Sequence, residues 1–211
     1  MSASDNDKSP VGIQRREKRH AWRRLWRSRD GASAIEFAIL AIPYFMIIFA
    51  ILETFVAFTA EQLVTNAVNT MARDLRTGKI TYNLNRPATD MTEEQFRQAF
   101  CNEISIMISC SPTEIATPAD LYLDVETLPT FKAIADKASI PRVGGEHSDL
   151  DSSDFHFTPG GPKSINMLRA YYRWPVITDL VRPYITNIRP ANGSSSFLIV
   201  ATTAFQNEDY P

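Results

Sequence analysis

The strongest constraint on this chain is an apolar run that begins at Phe37 and meets no charged residue until Glu53. Beyond Glu53 the apolar character resumes through Phe55, Val56, Ala57, Phe58 and Ala60. As a helix, Phe37 to Ala60 would extend ~36 Å, against a hydrocarbon layer of ~30 Å. The interruptions at Glu36, Pro43 and Glu53 leave a soluble core helix as the rival reading. A cleaved secretory signal fits less well, because its apolar region is usually about 7–15 residues long and ends in a small-x-small site.

Charge favours the membrane. Residues 1–31 carry nine Lys or Arg against four Asp or Glu, a net of +5, which leaves -7 for the rest of a chain whose total is -2. Lys18, Arg19, Arg23 and Arg24 lie just before the apolar run, with Trp22 and Trp26 as interfacial anchors. A basic flank of this kind stays in the cytoplasm, so the remainder is expected to cross the membrane. The expected organisation is a basic cytoplasmic leader at 1–31, a transmembrane helix at 32–60, and a periplasmic α+β domain at 61–211.

Residues 1 to about 14 show no periodic pattern and read as a disordered tail. After the apolar run, Leu63, Val64, Ala67, Val68, Met71, Ala72 and Leu75 recur at spacings of three and four, so the helix should continue with one apolar stripe. Gly78 is a natural stop, which predicts a first helix from about Ala32 to Thr77, bent at Pro43. Thr92 and Gln95 form a potential capping box ahead of Phe96, Phe100, Ile104 and Met107, which predicts a second helix. Leu121, Leu123 and Val125 alternate with polar positions as in a half-buried strand. Residues 141–163 read as loop with nothing for a core, whereas Ile165 to Arg173 and Phe197 to Phe205 read as strands. Trp174-Pro175 ends the first of these, and Asn192-Gly193 marks a turn before the second. The simplest arrangement is a small antiparallel sheet on the outer half of the first helix.

Cys101 and Cys110 are the only cysteines, and the expected topology puts them in an oxidising compartment. Their spacing fits neither a C-x-x-C redox pair nor a zinc pattern, so a structural disulfide is expected. In one continuous helix the two Cα atoms would stand ~13 Å apart, beyond the ~7 Å limit for a bridge, so the second helix must stop near Ser109 and the chain fold back. His147, Asp149, Asp151, Asp154 and His156 crowd one segment, and the three aspartates are weak candidates for oxygen ligands to calcium. They lack the glycine and terminal glutamate of an EF-hand loop, which favours a solvated acidic loop and no metal. Asn192-Gly193-Ser194 also matches a glycosylation acceptor, a reading secondary to the turn. No nucleophile elbow, phosphate loop or His-rich helix occurs, so no catalytic residue, cofactor or enzymatic activity is expected.

The junction at the mouth of the apolar run carries the most functional information. Glu36 sits at the start of the apolar segment, inside the helix expected at 32–60, where a carboxylate is unfavourable, by about 2.5–3.5 kcal/mol for Asp at mid-helix and less near an end. One reading is a boundary carboxylate that reaches headgroup water. The other pairs Glu36 with a new ammonium on Ala32 of a neighbouring subunit, created by cleavage after Gly31. Gly31-Ala32-Ser33-Ala34-Ile35-Glu36-Phe37 resembles the type IVb prepilin processing motif. The stretch from Asp30 through Pro43 resembles TadE-like proteins of the tight-adherence (Flp) pilus system. Further resemblance lies in Ala72-Arg73, Arg76-Thr77-Gly78 and Phe205-Gln206-Asn207-Glu208.

That resemblance implies a minor pilin or pseudopilin, cut on the cytoplasmic side by a dedicated aspartic prepilin peptidase and needed for pilus assembly. By the family pattern Gly31 is the last leader residue, Ala32 the first mature one, and Glu36 with Phe37 the assembly determinant. The implied partners are the inner membrane, the peptidase, and other pilin and Tad assembly subunits, with no role for nucleic acid. The implied location is the bacterial inner membrane, single-pass, with the N-terminus cytoplasmic and the C-terminal domain periplasmic. The alternative is an uncleaved, signal-anchored periplasmic binding or envelope-scaffold protein.

Overall fold

The structure is a computed structural model that describes residues 29–176, 186–189 and 195–210, with side chains from Ser33 onward. The basic leader before Arg29 and the Asn192-Gly193 turn lie outside the described residues. The chain divides into two units, Met1–Phe49 and Ala50–Pro211. The first helix, α1 (Arg29–Arg76), runs through both and is continuous across Pro43.

In the first unit α1 has no polar face. Phe37, Ile39, Leu40 and Ile42 are all exposed, and they point to different quadrants when successive residues turn by about 100°. A helix that is apolar all round belongs in lipid or among other helices. It is long and apolar enough to cross a membrane.

From Ala60 onward, within the second unit, α1 becomes one-sided. Ala60, Val64, Ala67, Val68, Met71, Ala72 and Leu75 are buried in the main core, while Leu63 is partly buried at its margin. The helix ends at Gly78, whose φ of 73° is the left-handed conformation that glycine adopts without a Cβ penalty. The N–H groups of Thr77, Gly78 and Ile80 then cap the carbonyls of Arg73, Leu75 and Asp74.

α2 (Glu93–Ile104) begins at the expected capping box: the Thr92 hydroxyl accepts from the Gln95 N–H, and the Gln95 side chain accepts from the Thr92 N–H. Phe96, Phe100, Cys101 and Ile104 form its buried face. The helix stops at Ile104, so the chain can return and bring Cys110 to a Cα–Cα distance of 5.9 Å from Cys101, where the two form a disulfide. The short helix α3 (Pro112–Ala116) follows, capped by the Ser111 hydroxyl.

Strand β1 (Leu121–Leu128) is followed by α4 (Phe131–Asp136), β2 (Phe157–Thr158), β3 (Ile165–Pro175) and β4 (Ser196–Gln206). The strand order is β2-β1-β3-β4. β1, β3 and β4 pair antiparallel, with Leu123 opposite Ala170 and Ala170 opposite Ala201. Alternation along these strands sends Leu121, Leu123, Val125, Leu168, Ala170, Ile199 and Ala201 into the same core as α1 and α2.

Three sequence expectations need correction. The sheet is mixed, because β2 runs parallel to β1, with Val125 opposite Phe157. The segment 141–163 also feeds the core. Phe157 is buried with its ring 4.9 Å from that of Phe96, and Leu150 is buried on the other face of the sheet. A two-residue strand is too short to show a period, and its aromatic partners lie far away in the chain. Finally, β1 is not half-buried: Leu150, Tyr171, Ile188 and Leu198 cover the second face of the sheet, and Asp124 on that face is buried too.

The C-terminal tail closes the structure onto the end of α1. The Glu208 N–H donates to the Arg76 carbonyl at 2.9 Å, and the two side chains pair at 3.5 Å. The Asn207 side-chain amide donates to the carbonyls of Gly160 and Gly161 and to the Tyr210 hydroxyl. The Tyr210 ring lies against Gly78, where an added Cβ would come within 2.6 Å of a ring atom. Gly78→Ala should therefore meet both left-handed strain and a clash, and lower stability by about 1–3 kcal/mol in chemical denaturation of the detergent-solubilised chain. Replacing Cys101 and Cys110 with serine should cost about 2–3 kcal/mol in the same measurement, because the bridge closes a loop of about ten residues in the unfolded chain.

Candidate functional site

The segment from Gly31 to Phe37 lies within the first turns of α1. Glu36 is exposed, and among the described residues it makes no ion pair or hydrogen bond. Its neighbours one turn away on the same face are Ser33 before it and Ile39 and Leu40 after it. Phe37 beside it is 71% exposed. The site is thus a single carboxylate on a helix surface that carries no other charge from Ser33 to Leu52. Among the described residues, no side chain supplies a counter-charge to Glu36.

The acidic segment is a structural element instead. Asp149 accepts from Arg173 Nη2 at 2.9 Å and from the N–H of Leu150. Arg173 also donates to the Ala119 carbonyl and the Tyr122 hydroxyl and lies 5.0 Å above the Tyr122 ring, so it ties three segments together. Asp151 accepts from the N–H and hydroxyl of Ser153 in a local turn, which holds its carboxyl below the usual range. Asp154 and His156 are exposed, as is His147, whose carbonyl accepts from the N–H of Arg189. Among the described residues, no group of three or more His, Cys, Asp or Glu is placed to hold a metal ion.

Sequence reasoning missed a buried polar strip on the second face of the sheet. Asp124 of β1 and Arg169 of β3 are directly opposite in register and both buried, at 6% and 5% exposure. They do not form an ion pair with each other. Arg169 donates to the carbonyls of Lys137 and Ser139 and to the Tyr171 hydroxyl, and so fastens the end of α4 to β3. Asp124 accepts from the N–H of His156, just before β2. A charged residue in the middle of a strand was the only signal of either. The segments resembling the family at both ends of the domain were legible, but not that Arg76-Thr77-Gly78 and Asn207-Glu208 touch each other.

Burial pushes the Asp124 carboxyl up, against the smaller pull of the His156 N–H; Glu126 nearby adds to the rise, while Arg169 and Lys137 oppose it. A carboxyl raised in the folded state favours folding when protonated. That contribution is complete below the unfolded value of about 3.9 and is lost as pH climbs through the raised folded value. Asp124→Asn, which stays neutral and keeps the acceptor, should therefore raise the melting temperature at neutral pH. The gain should shrink toward zero below about pH 4, as thermal melts across pH would show.

A comparison with known families finds a match to the family model described as TadE-like protein, covering residues 31–73. No curated protein and no solved structure matches the chain. The matched stretch begins at Gly31, includes Glu36 and Phe37, crosses the all-apolar part of α1 and ends at Arg73 near the close of its buried stripe. Residues 31–73 of this chain are accordingly similar to the TadE-like family, the family expected from the junction at Gly31.

Proposed function

We propose that this chain is a minor pilin or pseudopilin that serves assembly of a tight-adherence pilus, processed after Gly31 and docked to other subunits through α1. The TadE-like domain supports the coarser statement, a Tad pilus-associated minor pilin family. The observation that carries the finer one is Glu36: a carboxylate without a counter-charge among the described residues, on a helix apolar all round, five residues after a glycine. Cleavage between Gly31 and Ala32 hydrolyses that peptide bond and leaves a carboxylate on Gly31 and an ammonium on Ala32. The ammonium of one subunit then neutralises Glu36 of the next, which fixes their register in the membrane.

The basic leader supports an orientation with the N-terminus in the cytoplasm and the Ala50–Pro211 unit in the periplasm of the inner membrane. The domain acts as a presented surface with no catalytic role. Cells carrying the peptidase should yield a membrane-extracted protein whose mass and N-terminus begin at Ala32. An intact leader there would sink the processing step. Gly31→Leu should retain the leader, whereas a silent substitution would favour the uncleaved anchor. Glu36→Ala should insert normally and reduce assembled pili by about tenfold or more, counted by electron microscopy, since a pairing of about 1.4 kcal/mol already corresponds to a factor of ten.

A further inference from the structure

The two sulfurs of the disulfide meet solvent unequally. Cys101 stands on the buried face of α2, at 4% exposure and within the main core. Cys110 is half-buried, packs against the margin of that core, and is flanked by the exposed Ser109 and Ser111. It also lines a surface depression of about 110 Å³, together with Ile108, Ser111, Glu114, Asp120 and Tyr172, and Cys101 is not part of that lining. A reagent in the depression meets Cys110 first. The chain around Cys110 is meanwhile held by contacts that involve no sulfur. Before it, Ile108 is buried in the core. After it, the Ile115 carbonyl accepts from Arg97 on α2, which also donates to Glu93. Glu114 Oε1 then accepts from the N–H groups of Ala119, Asp120 and Leu121 at 3.0, 2.9 and 2.7 Å, which ties α3 to the start of β1. Opening the bridge therefore leaves Cys110 between two anchored points, with its sulfur still within reach of Cys101.

We propose that this bridge is a thiol–disulfide exchange site that opens and closes within the folded domain, and that small thiol and disulfide carriers enter it through Cys110. Access decides which sulfur of a disulfide is attacked. In opening, the thiolate of a carrier attacks the Cys110 sulfur: a bond forms between the carrier and Cys110, the Cys101–Cys110 bond breaks, and the Cys101 sulfur leaves and takes up a proton. A second carrier thiolate attacks the carrier sulfur of the mixed disulfide and releases the Cys110 thiol. The bridge is then reduced by two electrons and two carrier thiols have become one carrier disulfide. Closing runs the same steps backwards. Cys110 attacks the carrier disulfide and expels one thiolate, and Cys101 attacks Cys110 and expels the other, its proton ending on the departing sulfur. Because Ile108 and Ile115 hold the segment on both sides of Cys110, the closing step is intramolecular and needs no refolding.

The probe is 2-mercaptoethanol, an uncharged thiol suited to a depression that Glu114 and Asp120 line, added to the purified full chain in detergent. Samples are quenched in acid and digested there, and the mixed disulfide is located by peptide mass. The adduct should lie on Cys110, at least tenfold in excess over Cys101. The opening rate should rise in proportion to thiol concentration and change by less than about twofold in urea below the unfolding transition, as expected for a reaction of the folded state. In Cys101→Ser the remaining Cys110 should form a mixed disulfide with 2-hydroxyethyl disulfide at least tenfold faster than the remaining Cys101 does in Cys110→Ser, and the two rates should converge in guanidinium. The native chain answers the question if either variant fails to fold, and the variants answer it if the native adduct is too short-lived to isolate. An adduct on Cys101, equal rates for the two cysteines in folded variants, or opening that follows the unfolded fraction in urea each overturns the proposal. None of these readouts involves the peptidase, so failure of processing after Gly31 would leave them unaffected.

Discussion

One helix has to satisfy two environments, and the rest of the structure follows from how it does so. Over its first part α1 exposes apolar side chains on every side, which water would not tolerate. From Ala57 onward it buries a single stripe, and small residues at Ala60, Ala67 and Ala72 alternate with Val64, Val68, Met71 and Leu75 along it. Burying each of the larger side chains contributes about 1.5–3 kcal/mol. From Ala60 onward the stripe is the apolar face of α1, and α2 and one face of the sheet assemble against it.

Each end of that arrangement is fastened by a different device. The disulfide between Cys101 and Cys110 holds the turn after α2, where the helix ends too early to organise the returning chain by its own hydrogen bonds. The tail from Asn207 to Tyr210 holds the end of α1 through Arg76, Gly78 and the carbonyls of Gly160 and Gly161. These contacts join positions from opposite ends of the domain, so the lower part of α1 and the last strand are held as one piece. Force or strain applied to α1 would then reach the sheet through backbone hydrogen bonds as well as through side-chain packing.

The sheet has unequal faces, and this bears on function. One is filled by aliphatic and aromatic side chains under the helices. The other carries Asp124, Arg169, Tyr171 and the Arg173–Asp149 pair, each engaged with loop backbone or with one another. Buried polar groups need specific partners, so they hold the long connection between α4 and β3 in one conformation. The acidic residues that looked like ligands in the sequence are occupied with this task or lie exposed and apart.

Local patterns were legible wherever the physics is local. The Thr92–Gln95 capping box, the stop at Gly78, the stripe from Val64 to Leu75 and the strands β3 and β4 all rest on interactions within a few residues or on a period long enough to recognise. The junction from Gly31 to Phe37 was legible because a carboxylate inside an apolar run is costly and therefore conspicuous. By itself the sequence determined a basic leader, an apolar helix long enough to cross a membrane, and an α+β domain behind it. Only the tertiary structure decided that Phe157 adds a parallel edge strand, that Asp124 is buried, and that the tail meets Arg76 and Gly78. Those outcomes depend on which distant segments cover which face, and no periodicity within a single segment encodes that.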